Sequence, residues 1–172
     1  LPGRGVVRHA TWAAAGRARV LDTYLTPLEY AGPSFGLVHL TERTARWGRG
    51  RVSVQGLYTG HVACLGTSSV DGREWEALLS ADVAWHYNWR PARSLRVGVG
   101  PMAGLATGVT YNARNGNNPA QGRLDVAVGV SAVADWRFRL GRRSFSCCVR
   151  ADVPLVGAMF TPAYGQSYYE IF

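Results

Sequence analysis

Apolar and polar residues alternate strictly over residues 123–140. The even positions are all apolar: Leu124, Val126, Val128, Val130, Ala132, Ala134, Trp136, Phe138 and Leu140. The odd positions carry five charges, on Arg123, Asp125, Asp135, Arg137 and Arg139. Because successive side chains of a β-strand point to opposite faces, this period of two predicts one long strand with an apolar face and a polar face.

The same alternation, cleaner in some segments than in others, predicts further strands along the chain. They are expected at Arg17–Tyr24, Phe35–Trp47, Arg51–Leu65, Trp75–Arg90, Leu95–Arg114 and Phe145–Met159, with an eighth starting at Gln166–Phe172. In the segment Phe145–Met159, Leu155 and Met159 are predicted to lie on the apolar face. Pro101 and Pro154 fall inside strand patterns and cannot donate to the ladder, so a bulge or a break is expected near each.

The connections between these strands alternate in length. Short turns are predicted at Gly48–Gly50, Pro91–Arg93 and Gly141–Arg143, and longer polar loops at Thr26–Ser34, Gly66–Arg73, Asn112–Gln121 and Thr161–Gln166. This order predicts an up-and-down meander with all tight turns at one end and all long loops at the other. Outer-membrane β-barrels of bacteria are organised in this way.

Strand length favours a membrane barrel over a soluble sheet. The alternating segments run to roughly 15–18 residues, whereas strands of soluble proteins rarely exceed about 10. No segment of the sequence offers the ~20 continuous apolar residues of a membrane-spanning helix. The fold class predicted is therefore all-β, an up-and-down antiparallel transmembrane β-barrel of about eight strands. Residues 1–172 form its single domain, and residues 1–12 are expected to be a flexible periplasmic arm.

The interior of an eight-stranded barrel is just wide enough to be filled by side chains. The polar rows place charges of both signs there, and they are expected to pair across the lumen. This predicted lumen network comprises Glu76, Asp82, Arg90, Arg96, Arg123, Asp125, Asp135, Arg137, Arg150 and Asp152. Four aromatic residues share the parity of the apolar row and are expected to form a membrane-interface girdle: Trp75, Trp85, Tyr87 and Trp89.

The chain is basic, with 19 Lys and Arg against 11 Asp and Glu and a formal charge of +8. All 19 basic residues are arginine, and they are spread over nearly every strand and turn instead of forming one stripe. This distribution argues against a nucleic-acid partner and suits contact with anionic lipid phosphates at a membrane surface.

Four long motifs carry a resemblance to a known family. They are LDTYLTPLEY at residues 21–30, WHYNW at 85–89, YNARNGNNPAQ at 111–121 and GQSYYEIF at 165–172. In these segments the chain resembles a Bacteroidales family of uncharacterised outer-membrane β-barrel proteins. The resemblance implies location in the bacterial outer membrane, with outer-membrane lipid, lipopolysaccharide and an envelope protein as partners, but it supplies no catalytic residues.

Candidate binding residues lie in the long loops. They are Asn112, Arg114, Asn115, Asn117, Asn118, Tyr164 and Gln166. Their clustering at one end predicts an extracellular binding surface, although Asn-Gly, Asn-Pro and Thr-Pro pairs are also ordinary turn chemistry.

His86 is the candidate catalytic residue, because it shares a strand face with Asp82 and Asn88. No nucleophile motif such as Gly-x-Ser-x-Gly accompanies it. Neither the three cysteines nor the scattered His9, His39 and His61 show metal-ligand spacing, so no metal and no cofactor is expected.

Three functions remain open at the level of sequence. The first is an outer-membrane barrel acting as a structural or binding component through its long extracellular loops. The second is a soluble barrel of lipocalin type, in which the apolar row faces inward and holds a hydrophobic ligand. The third is a membrane-embedded hydrolase that uses His86.

Overall fold

A computed structural model describes residues 7–45, 47–116 and 118–161. These residues form seven β-strands: β1 (Val7–Val20), β2 (Tyr30–Thr44), β3 (Val52–Gly66), β4 (Arg73–Ala92), β5 (Leu95–Asn112), β6 (Ala120–Leu140) and β7 (Arg143–Phe160). Within this part of the chain there is no helix long and apolar enough to cross a membrane.

All seven strands belong to one antiparallel sheet, and their order in the sheet is their order in the chain. The meander predicted from turn lengths is thereby confirmed. The turns at 45–51, 93–94 and 141–142 lie at one end, which we call the turn end. The connections 21–29, 67–72 and 113–119 lie at the other, which we call the loop end.

The sheet is curled into an open half-barrel, with β1 and β7 as its two edge strands. The curl brings side chains from distant strands into contact across the concave face: Arg8 of β1 lies 3.0 Å from Asp135 of β6. The strands are 14 to 21 residues long, as expected from the alternation. The predicted eighth strand at Gln166–Phe172 lies outside the described residues.

From β3 to β7 the concave, inner face carries the polar rows, and the convex, outer face carries the apolar rows. On β1 the rows are reversed, since Trp12 shares the inner face with Arg8 whereas Arg17 faces outward. Tyr30, Ala63 and Leu65 form an apolar cluster at the loop end of the inner face. Buried polar residues such as Gln55, His86 and Ser131 are 0% exposed. On the outer face Val126 and Val128 are 47% and 51% exposed. The parity predicted for β6 is therefore correct, and its polar side faces inward.

The first strand differs from the sequence prediction. It begins at Val7, which pairs with Arg43, and not at Arg17. Residues 7–12 are thus part of the sheet and not of an N-terminal arm. The sequence of β1 shows no clear alternation in its middle, because Ala13, Ala14 and Ala15 follow one another and do not distinguish an apolar face from a polar one.

Pro154 lies at a bulge, as predicted. The register of the β6–β7 ladder shifts there, since Val128 pairs with Val156 whereas Gly129 pairs with Pro154. The extra residue reverses the parity of the strand that follows it. Met159 pairs with Asp125 and so shares the inner face, contrary to its predicted place in the apolar row.

Pro101 breaks the β4–β5 pairing without shifting its register. Ala84 pairs with Met102 and Tyr87 pairs with Val99, but the two positions between them, opposite Gly100 and Pro101, are not paired. The predicted break is therefore present, and the register shift of this ladder lies between Trp89 and Ala92, next to the tight turn.

The turn between β2 and β3 holds three consecutive residues in the left-handed backbone region: Gly48 (φ 79°), Arg49 (φ 52°) and Gly50 (φ 76°). A Cβ at Gly48 would lie 2.5 Å from a methyl of Val52, whereas a Cβ at Gly50 would meet no atom within 4 Å. Both positions need the conformational freedom of glycine, but only Gly48 also needs the space.

We expect Gly50→Ala to lower the free energy of unfolding by about 1–2 kcal/mol through backbone strain alone. Gly48→Ala should cost more, because it adds the clash with Val52. Urea unfolding of the two variants measures the difference. Equal costs would show that Val52 moves aside freely.

Candidate functional site

Glycines line the inner face of β5. Gly98, Gly100, Gly104 and Gly108 occupy four inward-facing positions of the strand. A Cβ at Gly98 would lie 2.7 Å from Oδ1 of Asn88 and 3.0 Å from Cβ of His86. The side chains of β4 therefore lie directly over the β5 backbone, where any larger residue would displace them.

This arrangement lets His86 of β4 reach across β5 to β6. Its Nε2 lies 2.9 Å from Oγ of Ser131, and Ser131 pairs with Gly100, the intervening residue of β5. Both side chains are 0% exposed. Among the described residues, Nδ1 of His86 has no hydrogen-bond partner.

A serine beside an imidazole is the pair that nucleophilic hydrolases use. Here, however, complete burial keeps a substrate carbonyl from the hydroxyl, and no carboxylate orients the imidazole through Nδ1. Asn88 donates its amide to the backbone oxygens of Arg51 and His86 and to Ser53. The geometry therefore supports a contact that ties β4 to β6. The contact of Ser131 with His86 depends on the register between the strands, which the sequence alone does not determine.

The turn end of the inner face is filled by four charged residues. Arg96 of β5 bonds to Asp135 of β6 and to Glu42 of β2, and Arg8 of β1 donates to Asp135 at 3.0 Å. Glu42 and Asp135 are 7% and 9% exposed. The group joins the two halves of the curled sheet.

Sequence reasoning did not find Arg8 or Glu42. Arg8 fell in the expected arm. Glu42 shares its face of β2 with Val38 and Leu40, so the alternation there does not separate a polar row from an apolar one.

Further ion pairs lie along the inner face towards the loop end. Arg123 donates to Glu76 at 2.7 Å and to the hydroxyl of Thr110 at 2.9 Å. Arg150 donates its Nε to both carboxylate oxygens of Asp152, at 3.0 and 2.9 Å. Glu74, which the sequence analysis did not single out, accepts from Asn112 at 3.0 Å and is fully buried.

The remaining members of the predicted lumen network lie apart from these pairs. Asp82 and Asp125 form no ion pair within the described chain, and with Asp152 they line a cavity of about 490 Å³ beside β7. Arg90 and Arg137 are exposed at the turn end. The structure thus brings together some of the predicted charges and leaves others on the rim.

The loop candidates are held by contacts within the chain. Asn115 donates to the carbonyl of Leu25, which joins the connection 113–119 to the connection 21–29. Asn112 accepts from the backbone of Arg114, and Asn115 accepts from the backbone of Asn118. These are the contacts of ordinary asparagine turns. Asn117, Tyr164 and Gln166 lie outside the described residues.

The predicted girdle residues lie at two levels of the outer face. Trp75 contacts Tyr111 at the loop end, with ring centroids 5.9 Å apart. Trp85, Tyr87 and Trp89 lie nearer the turn end, where Tyr87 and Trp89 are 4.9 Å apart. All four side chains are partly exposed, between 38% and 50%.

Arg51 donates a hydrogen bond to the Tyr87 hydroxyl at 3.0 Å. This bond raises the pKa of Arg51 above its usual value. In the segments that the structure describes, no three His, Cys, Asp or Glu side chains are grouped to hold a metal ion.

We expect Arg96→Gln to destabilise the protein by roughly 3–5 kcal/mol, because it leaves the buried Glu42 carboxylate without its cation. Arg90→Gln is the matched control: it removes the same charge at an exposed position and should change the free energy of unfolding by less than about 0.5 kcal/mol. Urea unfolding measures both. Similar losses for the two variants would contradict a structural role of the Arg96 contacts.

Comparison with known proteins places the chain within a family but does not assign it an activity. No curated protein and no solved structure matches it. A family model described as a protein of unknown function matches residues 3–172. The resemblance to an uncharacterised family is confirmed to that extent, and the chain belongs to the DUF3316 family of proteins of unknown function.

Proposed function

We propose that this protein is a β-barrel of the bacterial outer membrane, with a side-chain-filled polar lumen, which acts as a structural or binding component through its loop end. The observation that carries the proposal is the outer face. It is apolar and exposed over most of the sheet, and aromatic residues bound this apolar region at both ends.

The outer row of β4 illustrates this support. Between Trp75 and Trp85 it contains only Ala77, Leu79, Ala81 and Val83. These tryptophans are ten residues apart. At ~3.3 Å per residue and a tilt of about 40°, ten residues correspond to about 25 Å along a barrel axis, which is the height of the apolar band of such barrels.

The inner face supports the same proposal. Its buried carboxylates and half-buried arginines form the pairs that a narrow barrel interior requires, and these side chains occupy the turn end of the inner face. A lipocalin-type barrel would instead use an apolar inner surface to hold its ligand.

Closure of the barrel is part of the proposal. A strand edge with free N–H and C=O groups is too costly in hydrocarbon, so a membrane barrel leaves no edge open. The two edges to be joined are those of β1 and β7. The predicted strand at Gln166–Phe172 has the place in the chain to join them.

The loop end is the proposed interaction surface. The contact of Asn115 with Leu25, and the packing of Leu28 against buried Tyr30 and Leu65, hold the loops to one another and to the sheet. Outer-membrane lipid and lipopolysaccharide are the proposed surroundings, and an envelope protein is the proposed partner of this surface.

The first test is refolding in uncharged detergent micelles and in plain buffer. The proposal predicts a β-rich circular dichroism spectrum only in detergent, together with a change of gel mobility on boiling. A β-rich, monomeric product in plain buffer would contradict the membrane location and favour the lipocalin-type barrel.

A second prediction concerns depth in the membrane. Val128 lies in the middle of the outer row of β6, so Val128→Arg should cost roughly 2–4 kcal/mol of stability in lipid. Leu140→Arg is the control, because Leu140 lies on the same face next to the turn end, where the cost should be about 0–1 kcal/mol. Urea unfolding in lipid vesicles measures both. Equal costs would contradict the proposed orientation.

A further inference from the structure

The turn end carries a dense group of exposed arginines. Nine lie in or beside its three tight turns, and we call them the arginine collar: Arg43, Arg49, Arg51, Arg90, Arg93, Arg137, Arg139, Arg142 and Arg143. All nine are exposed, and none forms an ion pair with another described residue. Nearly half of the 19 basic residues of the chain are therefore at one end of the sheet.

The carboxylates of the described chain do not neutralise this collar. Glu42 and Asp135 are the ones near the turn end, and both are buried and bonded to Arg96. The exposed carboxylates, Glu29 and Asp71, belong to the loop end. The collar is thus a positive surface whose counter-charge must come from outside the described residues.

Aromatic side chains lie between the collar and the apolar outer face. Trp136 contacts Phe138 with ring centroids 4.7 Å apart, and Phe138 stacks on Phe145 at 5.6 Å. Trp89 and Tyr87 form a similar pair on β4. Rings of this kind prefer the headgroup level of a membrane, which puts the adjoining guanidinium groups at the depth of the lipid phosphates.

We infer that the arginine collar binds the phosphate groups of anionic phospholipids in the leaflet that the tight turns contact. The inference deepens the proposed function and rests on it. Guanidinium groups bind phosphate oxygens in a bidentate manner, and the attraction of each arginine to an anionic surface adds to that of its neighbours.

The order of residues on the outer face favours lipid over nucleic acid. On the outer face of β6 the apolar residues are followed by Trp136, Phe138 and Leu140, and the exposed Arg142 and Arg143 come next in the adjoining turn. This is the order of hydrocarbon, interface and headgroup across a leaflet. The arginines are also spread over three separate hairpins and form no groove that would follow a nucleic-acid strand.

The test uses the full chain folded in uncharged detergent micelles, with equal amounts of phosphatidylglycerol and phosphatidylcholine added. Native mass spectrometry then measures which lipid each protein molecule retains. The wild type should retain phosphatidylglycerol in preference to phosphatidylcholine, and added NaCl should reduce the preference.

The collar variant is Arg49→Gln, Arg142→Gln and Arg143→Gln together. It should lower phosphatidylglycerol retention about tenfold or more, given the contribution of each arginine near an anionic surface. The matched control is Arg17→Gln, Arg19→Gln and Arg114→Gln, which removes the same charge at the loop end and should retain the lipid preference. The mobility shift on boiling verifies that each variant is folded. If the collar variant does not fold, Arg43→Gln with Arg90→Gln and Arg93→Gln replaces it, and this variant leaves the β6–β7 hairpin unchanged.

Equal retention of both lipids by the folded wild type, or equal losses in the collar and control variants, would overturn the inference while leaving the membrane proposal in place. Displacement of the lipid by inorganic phosphate, or tighter binding of a single-stranded RNA oligonucleotide to the collar, would reassign the surface to free anions or to nucleic acid. A wild type that folds only without detergent would overturn both proposals.

Discussion

The contact of Arg96 with two carboxylates from opposite sides of the sheet is the interaction on which the shape of this protein depends. Glu42 lies on β2 and Asp135 on β6, and Arg8 of β1 reaches the same aspartate. Arg96 lies opposite Asp135 in the β5–β6 ladder, and Arg8 lies opposite Glu42 in the β1–β2 ladder. A flat meander would keep these as two separate pairs in solvent. The curl buries the two carboxylates and joins the pairs into one group, so electrostatics on the concave face and curvature of the sheet are one constraint.

The glycines of β5 make that constraint possible. Because Gly98 and Gly104 have no side chains, those of β4 and β6 meet above the β5 backbone. The interior then fills with His86, Ser131 and Asn88 in a layer that larger residues on β5 would push apart. Apart from the cluster of Tyr30, Ala63 and Leu65 at the loop end, most large apolar residues lie on the outer face, which is the reverse of the usual arrangement in a water-soluble protein.

Most of the fold was predictable from a period of two and the lengths of the connections, because both depend on neighbouring residues. The start of β1 could not be predicted, since a run of alanines shows no alternation. The face on which Met159 lies could not be predicted either, because a single extra residue at Pro154 reverses the alternation. The contacts of Arg8 and Ser131 could not be predicted from the sequence for a different reason. They depend on the register of several strands and on the curl of the sheet. Trp75 lies near the loop end of β4, and Trp85, Tyr87 and Trp89 lie near its turn end, because the strand is long. Their alternation in the sequence showed only that they share one face, so a single girdle was predicted.

The meander order has a consequence for how the chain reaches this structure. Each strand pairs only with its neighbours in sequence, so the hairpins are of low contact order and can zip from their tight turns with little loss of loop entropy. The pair of Arg8 with Asp135 is different, because 127 residues separate its members. That contact can form only after the intervening hairpins have aligned, so the last event of folding is the one that gives the sheet its curvature.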